Sequence, residues 1–226
     1  HGVRLANEAC KGSLRLAMSS HRSTDQPGSS GAGALLGPRW PAGAQEVGGT
    51  RLVILHTNDT HSRIDPFPMD GGPYQGLGGV ARRAELIRRV RSENPNVLLL
   101  DSGDIFQGTP YFNFFQGEIE FKAMSAMAYD VATLGNHDFD NGVEGLAEMM
   151  PHADFAFVSA NYEVSGTPLA SRVQGWTVRE MEGVKVGIFG LGIAFDGLVL
   201  DYGQTLYLEE EVRTTPFCKY GIVQKS

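Results

Sequence analysis

The sequence predicts an α/β fold built around a largely parallel sheet. From Arg51 onward, short apolar runs alternate with segments in which apolar residues recur at helical spacing. Strands that alternate with helices are typical of right-handed crossovers, which place successive strands parallel in one sheet. The composition, with 42% hydrophobic and 20% charged residues, is that of an ordinary globular chain.

The predicted elements follow one another along the chain. The apolar runs predicted as strands are RLVILHT, NVLLLD, DVATLG and FAFVSAN. The segments predicted as helices are GGVARRAELIRRVRSE, YFNFFQGEIEFKAMSAMA and GVEGLAEMM, and the second is expected to break near Gly117. The later stretch RVQGWTVREMEGVKVGIFGLG predicts two further strands joined at Glu182-Gly183, which is a hairpin signal.

Both ends of the chain depart from this pattern. Residues 1–50 are rich in Gly, Ala, Ser and Pro and lack sustained periodicity, so a flexible leader or linker is expected, with a short helix as a weak alternative over ANEACKGSLRLAMSS. Residues 51–207 carry the α/β pattern. Residues 208–226 lose it again and are expected to form an irregular tail.

Charge and cysteine content exclude several classes of function. A net charge of −7 without a compensating basic block argues against general nucleic-acid binding. The arginines between residues 82 and 91 fall on a predicted amphipathic helix, where a solvated face is the expected explanation. Two cysteines exclude a CxxC zinc site and leave a disulfide open. No run is apolar enough to span a membrane, and no export signal is visible.

Chemically active side chains follow the predicted strands. Successive strands end in Asn58-Asp59-Thr60-His61, Asp101-Ser102-Gly103-Asp104, Gly135-Asn136-His137-Asp138-Phe139-Asp140 and Ser159-Ala160-Asn161. The carboxyl ends of parallel strands meet at one edge of a sheet, where ligands bind. Each residue alone has an ordinary explanation as a turn, cap or loop residue. Together they favour a metal site, and oxygen donors mixed with imidazole suit Mn, Fe, Zn or Mg.

The order of these motifs resembles a known family. D-x-H, then G-D, then G-N-H-[DE] is the motif order of the calcineurin-like metallophosphoesterases. The longer stretches ILHTNDTHSRID, DSGDIFQGTPYF, LGNHDFDNGVEGL, SANYE and VKVGIFGLG resemble the 5′-nucleotidase and UDP-sugar hydrolase branch. The resemblance runs from about Arg51 to about Tyr207 and implies a layered sheet with helices on its faces.

The resemblance also implies roles for individual residues. Asp59 and His61 match the ligands of one metal ion, Asp104 matches a carboxylate that bridges two ions, and Asn136 matches a ligand of the second. His137 matches the catalytic histidine, which stabilises the transition state or protonates the leaving oxygen. Asp140 matches its carboxylate partner. The spacing agrees with this implied role, since residues i and i+3 share one side of a helical turn, whereas Asp138 at i+1 is the weaker candidate.

A function follows from these roles as an expectation. The resemblance implies two divalent metal ions that activate water for hydrolysis of a small phosphoester, either a nucleoside 5′-monophosphate or a nucleotide sugar. It also implies a periplasmic or extracellular location and a separate C-terminal domain that holds the nucleoside.

The chain departs from the family pattern downstream. Family members carry a further His in a later loop and then a Gly-His-x-His type motif, but no His follows His152. The fold is therefore expected to be truncated on its C-terminal side. The alternative function is a truncated, catalytically silent metallophosphatase fragment.

Overall fold

The main sheet is mixed, with five parallel strands and one antiparallel edge. This computed structural model describes residues 51–193 and the backbone of residues 15–19, 206–207 and 220–224. The strands are β1 (Arg15–Ser19), β2 (Leu52–Thr57), β3 (Val97–Asp101), β4 (Val131–Ala132), β5 (Ala156–Val158), β6 (Tyr162–Glu163), β7 (Val173–Gln174), β8 (Trp176–Met181), β9 (Val184–Gly190), β10 (Leu206–Tyr207) and β11 (Tyr220–Gln224). The main sheet has the order β1-β2-β3-β4-β5-β7, and all neighbours from β2 to β7 run parallel. The predicted α/β class is confirmed.

Two smaller sheets complete the described strands. Strands β8 and β9 form an antiparallel hairpin, with β11 on the far side of β9. Its turn is at Glu182-Gly183, whose φ angles of 47° and 80° are both positive, as a type I′ turn requires. The predicted hairpin is confirmed. Strands β6 and β10 pair antiparallel as a separate ladder.

The edge strand β1 lies inside the segment predicted as a leader. Arg15–Ser19 pair antiparallel with β2, so the helix considered for this stretch is wrong there. The open edge of β2 offers unpaired backbone groups, and a strand satisfies them where a helix would not. The division of the chain into leader, domain and tail stays a prediction, and most of residues 1–50 and 208–226 lies outside the described residues.

Within the described residues, four α-helices follow the predicted pattern. They are α1 (Val80–Glu93), α2 (Pro110–Phe115), α3 (Glu118–Ala126) and α4 (Gly142–Met149), with short 3₁₀ turns at His137–Phe139 and Met150–His152. The break between α2 and α3 falls at Gly117, which has φ 114°. A Cβ atom there would lie 2.1 Å from Cζ of Phe106, so only glycine lets the chain turn against this ring. Among the described residues, no helix is long and apolar enough to cross a membrane.

The sheet divides the core into two clusters. Val53 and Leu55 of β2 pack on the helix side, whereas Ile54 between them packs on the other face, because side chains alternate along a strand. The helix-side cluster includes Ile87, Phe121, Met124 and Leu146. The opposite cluster includes Val186 and Ile188 of β9. The main sheet thus lies between four helices and the β8–β9 hairpin, which confirms a layered arrangement.

Candidate metal centre

The loops that follow β2 and β3 are hydrogen-bonded to each other. Backbone N–H groups of Asp59, His61 and Ser62 donate to the carbonyls of Gly103, Asp104 and Ile105 over 3.0, 3.0 and 2.8 Å. The parallel pairing of the two strands therefore continues beyond their ends. This ladder fixes the backbone from which Asp59, His61 and Asp104 project.

The loop that follows β4 approaches the β3 loop through two glycines. A Cβ atom on Gly103 would lie 2.2 Å from the Gly135 nitrogen, and a Cβ on Gly135 would lie 2.2 Å from Oδ1 of Asp104. Neither distance is compatible with a side chain, so the two backbones meet only because both residues are glycine. The G-D and G-N-H motifs thus have a steric basis in this contact.

Three of the predicted ligands converge on one point. Ligand atoms of Asp59, His61 and Asp104 all lie within 4.8 Å of one another. His61 Nδ1 lies 3.2 Å from the carbonyl oxygen of Phe106, so Nδ1 donates its proton there and the Nε2 lone pair is available to a metal. Asp104 is buried, whereas Asp59 and His61 are half-buried.

The remaining predicted residues lie beside this group. Asn136 is buried, and the next residue, His137, donates its backbone N–H to Oδ1 of Asp104 over 3.0 Å. The imidazole of His137 meets that of His61 edge to face, with 5.2 Å between ring centroids. His137 Nδ1 lies 3.0 Å from Oδ2 of Asp140. The structure therefore brings all six predicted site residues to the carboxyl ends of β2, β3 and β4.

Asp138 has a structural position that sequence reasoning missed. Its carboxylate accepts four backbone N–H groups, from Asp104, Ile105 and Phe106 of one loop and Gly135 of the other, over 2.8 to 3.1 Å. Complete burial, and then the neighbouring Asp104 carboxylate, raise the pKa of Asp138 to about 7, while the N–H donors act in the opposite direction. The side chain binds the two ligand-bearing loops together. A signal was available, because loops that turn sharply at glycines leave backbone N–H groups in need of an acceptor.

A buried chain of hydrogen bonds supports the β3 loop from below. The Thr57 hydroxyl donates to Oδ2 of Asp101 over 2.5 Å and lies 2.8 Å from the Tyr129 hydroxyl. A hydroxyl has one proton, so Tyr129 is the donor to Thr57. Oδ1 of Asp101 in turn accepts the N–H of Gly103 over 2.8 Å. Burial raises the pKa of Tyr129 to about 12.

Backbone strain is concentrated at the same place. Five residues other than glycine in these loops have positive φ, namely Asp59 (51°), His61 (44°), Ser62 (52°), Asp104 (57°) and Gln107 (66°). Such conformations are uncommon for these residue types and persist where the surroundings over-determine them. The interloop ladder and the Asp138 carboxylate provide that constraint.

A cavity of about 520 Å³ opens beside the converging ligands. Asp59, His61 and His137 line one side of it. Arg82, which is exposed, and Arg83, which is half-buried, also line it, so this part of the arginine cluster borders the cavity as well as solvent. Arg88 lies on an ordinary solvated face, because it is exposed and pairs with Glu85 three residues earlier.

Comparison with known proteins gives a match to this architecture. Residues 52–209 match the family described as calcineurin-like phosphoesterase. The chain belongs to this family. Calcineurin-like phosphoesterases bind divalent metal ions, and the converging carboxylates and imidazole of this chain are donors that such ions accept.

Individual relatives of this phosphoesterase chain are 5′-nucleotidases. It is 41% identical over 174 residues to the snake venom 5′-nucleotidase of Crotalus adamanteus, and the aligned region covers 74% of this chain and 29% of the relative. It is 40% identical over 182 residues to the 5′-nucleotidase of Homo sapiens, and this aligned region covers 76% of this chain and 31% of the relative. A solved 5′-nucleotidase precursor from Thermus thermophilus superposes with a TM-score of 0.65 at 37% identity, covering 70% of this chain and 32% of that one. The chain thus spans less than a third of each of these relatives.

Proposed function

We propose that this chain carries the metal centre of a phosphoester hydrolase of the 5′-nucleotidase type. The observation that supports it best is the convergence of Asp59, His61 and Asp104 to within 4.8 Å, with the His137 ring 5.2 Å from that of His61. A hydrolase needs metal-binding donors and an acid or charge-stabilising group at one place, and this arrangement has both.

The proposed ligand roles are those that the family resemblance implies. Asp59 and His61 would hold one divalent ion, Asn136 would hold a second, and Asp104 would contribute to both. Mn, Zn, Fe or Mg would each accept this donor set. Two such ions would activate water for attack at phosphorus and neutralise charge on the phosphoryl group.

His137 is the proposed catalytic residue. It lines the cavity, and Asp140 accepts the proton on Nδ1, so the ring presents Nε2 to a bound substrate. From that position Nε2 stabilises charge on the phosphoryl oxygens or protonates the leaving oxygen. Asp140 orients the imidazole through this contact.

The proposed substrates are nucleoside 5′-monophosphates or nucleotide sugars. The names of the relatives support this class, and a cavity of about 520 Å³ is in the range that small-molecule ligands occupy.

The proposed location is periplasmic or extracellular, supported by the venom relatives. Detection of the native protein in a secreted or periplasmic fraction would support it, and confinement to the cytoplasm would contradict it.

The test compares metal content and turnover in matched variants. Manganese-loaded His137→Ala should keep its metal and lose at least about a hundredfold in kcat, since general acid catalysis contributes on that scale. Asp104→Asn should lose both metal and turnover. His152→Ala and the exposed Asp154→Asn serve as controls and should match the parent chain. Near-normal turnover in His137→Ala would overturn the role of His137.

The alternative is a catalytically silent fragment of such a domain. It is favoured by one observation, that His61 is the one imidazole in the metal-binding group formed by the described residues. Elemental analysis after exposure to manganese separates the two. Two ions per chain, lost in Asp104→Asn, support the hydrolase, whereas fewer than one ion and no hydrolysis of any phosphoester support the silent fragment.

A further inference from the structure

The cavity beside the metal ligands has a second, cationic side. Its lining contains three arginines, Arg63, Arg82 and Arg83, in addition to Asp59, His61 and His137. Among the described residues that line the cavity, Asp59 is the one carboxylate, and it belongs to the proposed ligand set. A metal ion would offset the charge of Asp59, so the three guanidinium groups would be the other formally charged side chains in the cavity lining.

Contacts with neighbouring residues hold two of the three arginines in place. The Arg63 guanidinium carbon lies 4.4 Å from the ring centroid of Phe67, a cation–π arrangement. Arg82 donates to the backbone carbonyl of Gly76 and, over 3.4 Å, to that of Gly78. Arg83 Nε is buried and has no hydrogen-bond partner among the residues that the structure describes. The contacts of Arg63 and Arg82 position those two side chains without neutralising them.

The chain folds back on itself just before α1. A Cβ atom on Gly79 would lie 2.9 Å from the Pro66 nitrogen, too close for a side chain, whereas one on Gly78 would make an ordinary contact, 3.5 Å from Cδ2 of Phe67. Arg82, in the first turn of the helix, donates to the carbonyls of Gly76 and Gly78, so its side chain lies against this segment. Neither Arg82 nor Arg83 forms an ion pair within the described part of the chain, in contrast to Arg88.

We propose that Arg63, Arg82 and Arg83 form an anion subsite that binds a second phosphoryl group of the substrate. The first phosphoryl group would lie at Asp59, His61 and His137 on the other side of the same cavity. Guanidinium groups bind phosphoryl oxygens through paired, charge-assisted hydrogen bonds, whereas a neutral nucleoside would leave all three cations without a counter-charge. The subsite therefore selects substrates with two linked phosphoryl groups, such as nucleoside diphosphates, over monophosphates. This substrate assignment rests on the proposed function.

The first arm of the test uses the metal-free chain, so that no metal contributes to anion binding. Calorimetric titration with inorganic pyrophosphate and with orthophosphate compares the parent chain, Arg82→Gln/Arg83→Gln and Arg88→Gln/Arg89→Gln. The control pair removes the same charge from exposed positions of the same helix that do not line the cavity. The cavity variant should weaken pyrophosphate binding at least about tenfold, and the control should stay within about twofold. Thermal unfolding of both double variants checks that each is folded.

Three results of this arm would overturn the subsite. They are no binding of pyrophosphate by the folded parent chain, equal loss in the two double variants, or no loss in either. Equal affinity for orthophosphate and pyrophosphate would assign the site to a separate inorganic anion and would overturn the assignment to a second phosphoryl group. An Arg63→Gln variant provides an independent check, because it lies outside α1 and should weaken pyrophosphate binding in the same direction.

The second arm measures turnover of the manganese-loaded chain with a nucleoside 5′-diphosphate and a 5′-monophosphate. Arg82→Gln/Arg83→Gln should raise KM for the diphosphate several-fold more than KM for the monophosphate. An equal rise for both substrates would overturn the substrate assignment and leave the proposed function standing. Absence of turnover in the parent chain, combined with arginine-dependent pyrophosphate binding in the first arm, would overturn the proposed function and leave the anion subsite standing.

Discussion

The contact between His137 Nδ1 and Asp140 Oδ2, 3.0 Å long, holds one imidazole in one orientation. Asp140→Asn removes the negative charge but keeps the size of the side chain. We expect kcat to fall about 10- to 100-fold, the range typical of losing such an orienting partner, with KM and metal content unchanged. Steady-state kinetics and elemental analysis measure these quantities. A loss of bound metal in this variant would show that Asp140 acts on the ligands and not on His137.

Tyr129 gives a prediction about alkaline stability. Burial raises its pKa to about 12, above the ordinary value of 10.0. The folded state therefore holds the phenolic proton more tightly than the unfolded state, so its contribution to stability is present below pH 10 and is lost as pH rises towards 12. At about 1.4 kcal/mol per pKa unit, the loss approaches about 3 kcal/mol. Denaturant unfolding between pH 9 and pH 12 should show this fall in the parent chain and a weaker one in Tyr129→Phe.

The two aspartates that follow His137 show what a residue-level argument from sequence can reach. Spacing along a helical turn predicts that Asp140 faces His137, and the 3₁₀ turn at His137–Phe139 brings the two into contact. For Asp138 the same argument shows only that it is a poor candidate for the partner of His137. Its actual partners are N–H groups from more than 30 residues away as well as Gly135, and local spacing contains no information about them.

At the level of elements, the break between α2 and α3 predicts a specific sensitivity. Gly117→Ala places a Cβ atom 2.1 Å from the Phe106 ring in a backbone with φ 114°. Gly166→Ala is a matched control, since Gly166 also has positive φ, 81°, but no atom within 4 Å of the added carbon. We expect about 1 kcal/mol of destabilisation for the control and at least about 2 kcal/mol more for Gly117→Ala, because overpacking adds to the backbone cost. Equal midpoints in urea unfolding would contradict this.

Long periodic elements could be predicted and short ones could not. α1 has fourteen residues with repeated apolar spacing, and β3 has five buried residues in succession, so each carries its own signal. The DVATLG run predicts a strand, but β4 is only two residues long, although the N–H of Thr133 just after it still donates to the Asp101 carbonyl of β3. β7 is also two residues long and pairs in parallel with β5, too short for any period to show. The helical period of α1 likewise indicates which side of the helix is polar. It does not indicate that the segment of residues 65–79 contacts that side.

For the whole molecule, the strained loops predict that metal binding contributes to stability. Ions that bind the folded chain alone stabilise it by about 3 kcal/mol at a hundred times the dissociation constant. Manganese should therefore raise the unfolding midpoint of the parent chain, and chelation should reverse the change. Asp104→Asn should lose most of this increment, while Asp154→Asn should keep it. Differential scanning calorimetry measures both, and an equal increment in the two variants would place the ion elsewhere.

The overall architecture was the most predictable level. Alternation of strands and helices is a property of the whole sequence, and a misplaced boundary does not change the class. The position of the site at the carboxyl ends of β2, β3 and β4 follows from parallel topology, so it could also be predicted. The cavity could not, since its lining combines the loops after β2 and β3 with the start of α1, and contacts such as that of Arg82 with Gly76 leave no periodic signal.

The carboxylate of Asp138 couples the backbone amide hydrogen exchange of two loops. The amide hydrogens of Asp104, Ile105, Phe106 and Gly135 all share this acceptor, although Gly135 is separated from the others by strand β4 and two helices. Before any of these amide hydrogens can exchange with deuterium, its hydrogen bond to the buried Asp138 carboxylate must break. A movement of one loop alone, with Asp138 left in place, therefore costs such a bond. The protection of these amide hydrogens should therefore rise and fall together, at rates set by one shared opening event, and the ligand-bearing loops would open as a pair or remain closed as a pair.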